Sequence, residues 1–189
     1  MHFTRLEIPE VVLIEPQIHG DARGYFVETY RRDLLEEFLG EPLSFVQDNE
    51  SLSGKGVLRG LHYQLPPAAQ SKLVRVVRGR IQDVAVDIRP GSPTFGRYVS
   101  VELSSENKRQ VYIPRGFAHG FLVLEEETIV AYKTDAYYAP QLDRGIAFDD
   151  PEIGIEWLLP VDQLQLSERD RRHPVLEAAE LFPPLREER

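Results

Sequence analysis

The sequence predicts a mainly β protein, a jelly-roll barrel or sandwich with a few short helices, notably near the C-terminus. Three observations predict it. Ten short runs are rich in β-branched and aromatic residues. The gaps between them hold turn chemistry: Gly20-Asp21, Gly54-Lys55-Gly56, Pro66-Pro67, Gly79, Pro90-Gly91-Ser92-Pro93 and Ser104-Ser105-Glu106-Asn107. The 189 residues suffice for one well-buried core and are few for two, so 1–189 reads as a single domain.

Taken in order, Leu6–Ile14 reads as an edge strand, because Pro9 removes one ladder donor. Tyr25–Tyr30 and Ser44–Gln47 are short aromatic or apolar runs on either side of Asp33–Leu39, where Leu34, Leu35, Phe38 and Leu39 recur at helical spacing. Val57–Gln64, Lys72–Arg78 and Ile81–Ile88 follow as strands, then Tyr98–Leu103, Arg109–Ile113, Gly120–Leu124 and Thr128–Thr134. Glu168–Arg172 and Val175–Leu181 read as short helices, and residues 182–189 as a frayed tail.

Composition narrows the function. No apolar run approaches a membrane span, and Met1 to Arg5 lacks a secretory pattern. Zero cysteines excludes disulfides and thiol chemistry and fits a cytoplasmic protein. The net charge of −9 argues against nucleic acid or anionic membrane as a partner. Yet Ser51 to Gln82 holds no acidic residue and carries Lys55, Arg59, Lys72, Arg75, Arg78 and Arg80, a cationic island suited to a phosphate or carboxylate ligand. The plainer reading of each is an outward strand residue paired with a carboxylate elsewhere.

Two glycine-framed histidines carry the chemistry, His62 in Gly56–Gln64 and His119 in Pro114–Phe121. Barrels of the cupin type carry a metal on a His-x-His pair, a later Glu and a His in Pro-x-Gly-x-x-His. Pro114, Gly116 and His119 keep that last element, but Gln64 stands two after His62. Too few ligands remain for a transition metal, so the expectation is no metal and a histidine free to act as a base. Arg59 and His62 would face opposite sides of a straight strand; a bulge at Gly60 would re-aim them. His2 and His173, near the termini, read as structural.

The chain resembles the dTDP-4-dehydrorhamnose 3,5-epimerases of the cupin superfamily over nearly all its length. The matching blocks, in order, are Asp21–Glu28, Gln47-Asp48-Asn49, Gly56–Gln64, Lys72–Val76, Asp83–Asp87, Ser92–Gly96, Pro114–Phe121, Tyr132 with Tyr138, Asp150-Pro151 and Leu166–Asp170. The resemblance implies a cofactor-independent isomerase that inverts C3 and C5 of a dTDP-4-keto-6-deoxyhexose through enolates. It implies His62 as base, Tyr132 as acid, Lys72 as enolate stabiliser and Asp170 as the partner of His62, with Asp83 as the fallback. It also implies Arg23 and Arg59 on the diphosphate, and Phe26, Glu28, Gln47, Asp48, Asn49, Asp143 and Arg169 among the substrate-binding positions. Tyr138 would stack on the thymine. His119 would contact the sugar or simply shape the wall.

Departures from the pattern include Asp143 where glutamate is frequent and Arg169 where lysine is frequent. The resemblance further implies a homodimer with an exchanged N-terminal strand, in which Arg23 and Glu28 serve the neighbour's site. The alternatives are an epimerase acting on one carbon only, a metal-dependent cupin enzyme and a sugar-binding cupin.

Overall fold

A computed structural model describes residues 1–183, so the predicted tail from 184 onward lies outside the described residues. Two antiparallel sheets face each other, with strands numbered in chain order. The first runs β1 (His2–Arg5), β2 (Val12–Glu15), β10 (Gln110–Ile113), β7 (Lys72–Arg78), β12 (Thr128–Thr134), β5 (Gln47–Ser53). The second runs β13 (Asp143–Gly145), β6 (Leu58–Gln64), β11 (Phe117–Val123), β8 (Arg80–Asp87), β9 (Tyr98–Ser104). A separate hairpin, β3 (Ile18–Asp21) and β4 (Gly24–Val27), completes the strands among the described residues. Among the described residues no helix is long and apolar enough to cross a membrane.

The core between the sheets follows from strand alternation. Val74, Val76, Val111, Ile113 and Val130 from the first sheet meet Ile81, Ala85, Val99, Leu103, Phe117, Phe121 and Val123 from the second. The alternate residues of β6 and β8, including Leu61, Tyr63, Val84 and Val86, turn the other way and are covered by Ile146, Ile153 and Leu176 from the C-terminal segment. That second cover explains why β8 is buried along almost its whole length. The one α-helix among the described residues, α1 (Arg32–Leu39), lays Leu35 on the outer face of the first sheet beside Val12, Leu73 and Tyr112.

Several expectations change. Leu6–Ile14 is not one strand: Leu6 N–H donates to Val11 O and Val11 N–H to Ile8 O, closing a turn around Pro9-Glu10 that follows β1, so only Val12–Ile14 of the run is strand, in β2. Pro9 presets that turn rather than marking an edge. Glu168–Arg172 and Val175–Leu181 shrink to 3₁₀ turns, Asp170–Arg172 and Leu176–Ala178. Pro174 stands between them, and the residue before a proline is steered out of helix. The run Ser44–Gln47 becomes a strand only from Gln47, where pairing with Thr134 begins. Tyr25–Tyr30 contracts to Gly24–Val27, and β11 begins at Phe117, ahead of the expected Gly120.

Candidate functional site

The two sheets bring opposite groups to one cavity. β6 supplies His62 and Arg59, β11 supplies His119, and from the facing sheet come Lys72 on β7 and Tyr132 on β12. The cavity has two lobes of about 260 and about 290 Å³. His62, Lys72 and Tyr132 line both. Gln47, Asn49, Tyr138 and Asp143 line the first lobe alone, while Arg59, His119, Arg169 and Asp170 line the second.

A bulge sets the aim of Arg59 and His62. His119 pairs with His62 across the ladder and Phe121 with Arg59, so three steps along β6 match two along β11. Gly60 sits in the extra step at φ 126°. A Cβ there would lie 2.6 Å from Gly120 Cα and 2.7 Å from His119 O, so only glycine lets the strands close. The expected re-aiming at Gly60 is present, and both side chains reach one lobe.

His62 Nε2 lies 2.6 Å from Asp170 Oδ1. Burial pushes the Asp170 carboxyl up, but the His173 and His62 imidazoles beside it outweigh burial and hold it well below the usual carboxylate range. An ionised carboxylate only accepts, so Nε2 carries the proton and Nδ1 keeps the lone pair. Asp170 N–H donates to Ser167 Oγ at 3.0 Å, so Ser167 anchors the backbone of the turn while the side chain serves His62.

Asp83, the fallback partner of His62, belongs instead to His119: His119 Nε2 lies 2.9 Å from Asp83 Oδ2, and both side chains are buried. Burial pushes His119 down despite Asp83, which keeps the imidazole neutral. Burial likewise lowers Lys72 to about 8, opposed by the charges of Asp83 and Asp143. Burial raises Tyr132, against the pull of Arg59, so its phenol holds its proton.

A polar chain runs along the first lobe. Gln47 Nε2 donates to Asn49 Oδ1 at 2.9 Å, and Tyr138 N–H donates to Gln47 Oε1 at 3.0 Å. Tyr138 O–H donates to Asp143 Oδ2 at 3.0 Å, and the Arg169 guanidinium meets that oxygen at 2.6 Å. Tyr138 itself is 54% exposed, leaving a ring face for stacking.

Other expected residues lie elsewhere. Arg23 pairs with Asp21 at 2.5 Å in the β3–β4 hairpin, and Phe26 is 65% exposed on it. Both line a separate surface hollow, and Glu28 pairs with Arg31, so this chain alone brings none of the three to the cavity. Asp48 points away, joined to Lys133 Nζ at 2.8 Å, because β5 alternates and, of the block Gln47-Asp48-Asn49, sends only Gln47 and Asn49 inward. The cationic island divides too. Arg78 and Arg80 pair with Glu127 and with Glu102 and Glu125 on the surface, the plainer reading. Arg59 and Lys72 face the cavity.

His173, which reads as structural in the sequence, stands beside Asp170. Its Nε2 lies 3.3 Å from the oxygen that His62 uses, and its ring packs where a Gly145 Cβ would stand. Only its nearness to Asp170 in sequence could have flagged it.

The residues at the cupin metal position do not fit a metal. His119 is held by the buried Asp83, and Gln64 holds the neighbouring loops: its Nε2 donates to Ala68 O at 2.7 Å and its Oε1 accepts from Ala139 N–H at 2.7 Å.

Comparison with known proteins places these features in context. The family model described as dTDP-4-dehydrorhamnose 3,5-epimerase matches residues 5–178. A curated relative of that name from Pseudomonas aeruginosa is 54% identical over 183 residues, covering 97% of this chain and all of the relative. The crystal structure of a dTDP-6-deoxy-D-glucose-3,5-epimerase from Legionella pneumophila, in complex with dTDP-4-keto-L-rhamnose, superposes with a TM-score of 0.93 at 49% identity, covering 98% of each chain. A 3'-monoepimerase from Streptomyces bikiniensis, in complex with dTDP-quinovose, is similar at a TM-score of 0.87 and 36% identity, covering 94% of this chain and 88% of that one.

Proposed function

The chain belongs to the dTDP-4-dehydrorhamnose 3,5-epimerase family, and from that premise we propose how its own residues perform the reaction. It is an isomerase that epimerises dTDP-4-dehydro-6-deoxy-D-glucose at C3 and C5 to dTDP-4-dehydro-L-rhamnose, in dTDP-rhamnose biosynthesis. The hydrogens at both carbons lie α to the C4 ketone, so each can leave as a proton.

His62 takes the proton on Nδ1, and Asp170 stabilises the imidazolium that results. The Lys72 ammonium, charged below about pH 8, stabilises the enolate oxygen. Tyr132, on the opposite sheet, returns a proton to the other face of the ring. The sugar sits where the two lobes meet, the thymine lies against Tyr138 in the first lobe, and Arg59 holds the diphosphate. The observation that carries this reading is the placement of His62 and Tyr132 on facing sheets of one cavity.

A second copy completes the site. The β3–β4 hairpin has its own pairing, and Tyr25 and Phe26 on it are 60% and 65% exposed. A homodimer exchanging this segment would deliver Arg23, Phe26 and Glu28 to the partner's cavity. With no cysteine, the chain suits a reducing compartment, and the proposal places the enzyme in the cytoplasm.

The test is solvent deuterium exchange into the 4-keto sugar nucleotide followed by NMR. The intact protein is expected to label both C3 and C5, and His62→Ala neither, with dTDP affinity within about tenfold. Retained exchange in His62→Ala would sink the base assignment. Label at one carbon alone would make this a monoepimerase, the activity that the similar Streptomyces protein's name carries.

A further inference from the structure

We propose that His62, Asp170 and His173 form a site for Zn²⁺, and that zinc bound there silences the base. His62 Nε2 and His173 Nε2 approach the same Asp170 oxygen at 2.6 and 3.3 Å, and one ligand atom from each residue lies within 4.8 Å of the other two. This set shares His62 with the cupin metal position but replaces its other members, Gln64 and His119, with Asp170 and His173.

The second observation is an orphan. The His173 side chain is 9% exposed, and its Nε2 has no hydrogen-bond partner among the described residues. A buried nitrogen without a partner costs free energy, and a metal would satisfy it. Two imidazoles and one ionised carboxylate suit Zn²⁺ better than Mg²⁺ or Ca²⁺. His62 is 32% exposed, which leaves water a fourth position.

The consequence rests on the reading of His62 as the base. Free His62 holds its proton on Nε2 and its lone pair on Nδ1. Zinc takes the Nε2 lone pair, so the one imidazole proton moves to Nδ1. That nitrogen then has nothing with which to accept a proton from the sugar, and Asp170 is drawn to the metal.

The experiment is calorimetric titration of the metal-free protein with zinc chloride near neutral pH, without substrate, alongside turnover at the same zinc concentrations. One zinc per chain is expected, with turnover lost in parallel and restored by EDTA. His173→Gln should weaken zinc binding and shift inhibition by at least about tenfold, each protein being compared with its own zinc-free rate. Retained dTDP binding reports that the variant is folded, and zinc-edge X-ray absorption of the unaltered protein should show two imidazoles. Absence of stoichiometric binding overturns the site, as does equal zinc affinity in His173→Gln. One bound zinc at full turnover overturns the silencing and the choice of Nδ1, while loss of exchange in His62→Ala would still uphold the epimerase reading.

Discussion

Asp143 and Arg169 meet at 2.6 Å, tying β13 to the loop that delivers Asp170. These are the two positions at which the sequence departs in charge-bearing residue type from the family pattern, and they contact each other. The shorter carboxylate is matched by a longer cation, and the pair holds the Tyr138 hydroxyl. Asp143→Glu and Arg169→Lys should therefore each weaken dTDP binding several-fold, and the double variant should recover most of the loss. A double-mutant cycle by calorimetry should give a coupling of about 1 kcal/mol; additive losses would mean the two act independently.

Asp170→Asn should lower kcat by about 10²- to 10⁴-fold with dTDP affinity kept, because the amide no longer fixes the proton on Nε2. The same substitution changes acid stability. The Asp170 carboxyl is held low in the folded protein, so its contribution is present above the ordinary carboxylate pKa and is lost as pH falls below about 4. Thermal melts should show the difference between parent and variant shrinking as pH falls through that window.

Lys72 predicts an alkaline limb. Turnover should fall as pH rises through about 8, as the ammonium discharges, and Lys72→Arg should move that limb upward. Its folded-state value lies below the unfolded one, so the folded protein binds fewer protons between about 8 and 10.4 and gains stability as pH rises across that span. Below it the buried charge is a cost. Lys72→Met should accordingly abolish turnover while raising Tm near pH 7 by a few degrees.

Gly60→Ala should cost about 3 kcal/mol or more, since it combines a left-handed φ with a Cβ pressed against the backbone of β11. Urea unfolding measures it. A loss below about 1 kcal/mol would show that the bulge tolerates a side chain.

The strands Lys72–Arg78 and Thr128–Thr134 lie where their β-branched runs place them, because Val74, Val76 and Val130 pack into the core between the sheets. The bulge at Gly60 was legible from a conflict of parity. His62 was legible from its glycine-framed strand and the Gln64 beside it, while Lys72 and Tyr132 were legible only through the resemblance, since nothing local distinguishes Lys72 from Arg78 six residues along the same strand. The pairing of His62 with Asp170 was legible only through the resemblance, and the partner of His119 was not legible at all: the facing of β8 against β11 brings Asp83 to it. Asp48 was misplaced because a motif block of three neighbours ignores the alternation of β5.

The valines and isoleucines packed between the sheets set more than stability. The base hangs from one sheet and the acid from the other, so the thickness of that oily layer is the jaw width of a caliper closed on the sugar ring. Thinning a layer well away from the cavity, as with Ile81→Val, would tilt one jaw by a fraction of an ångström. Its trace would be the proportion of deprotonated sugar that returns inverted rather than unchanged.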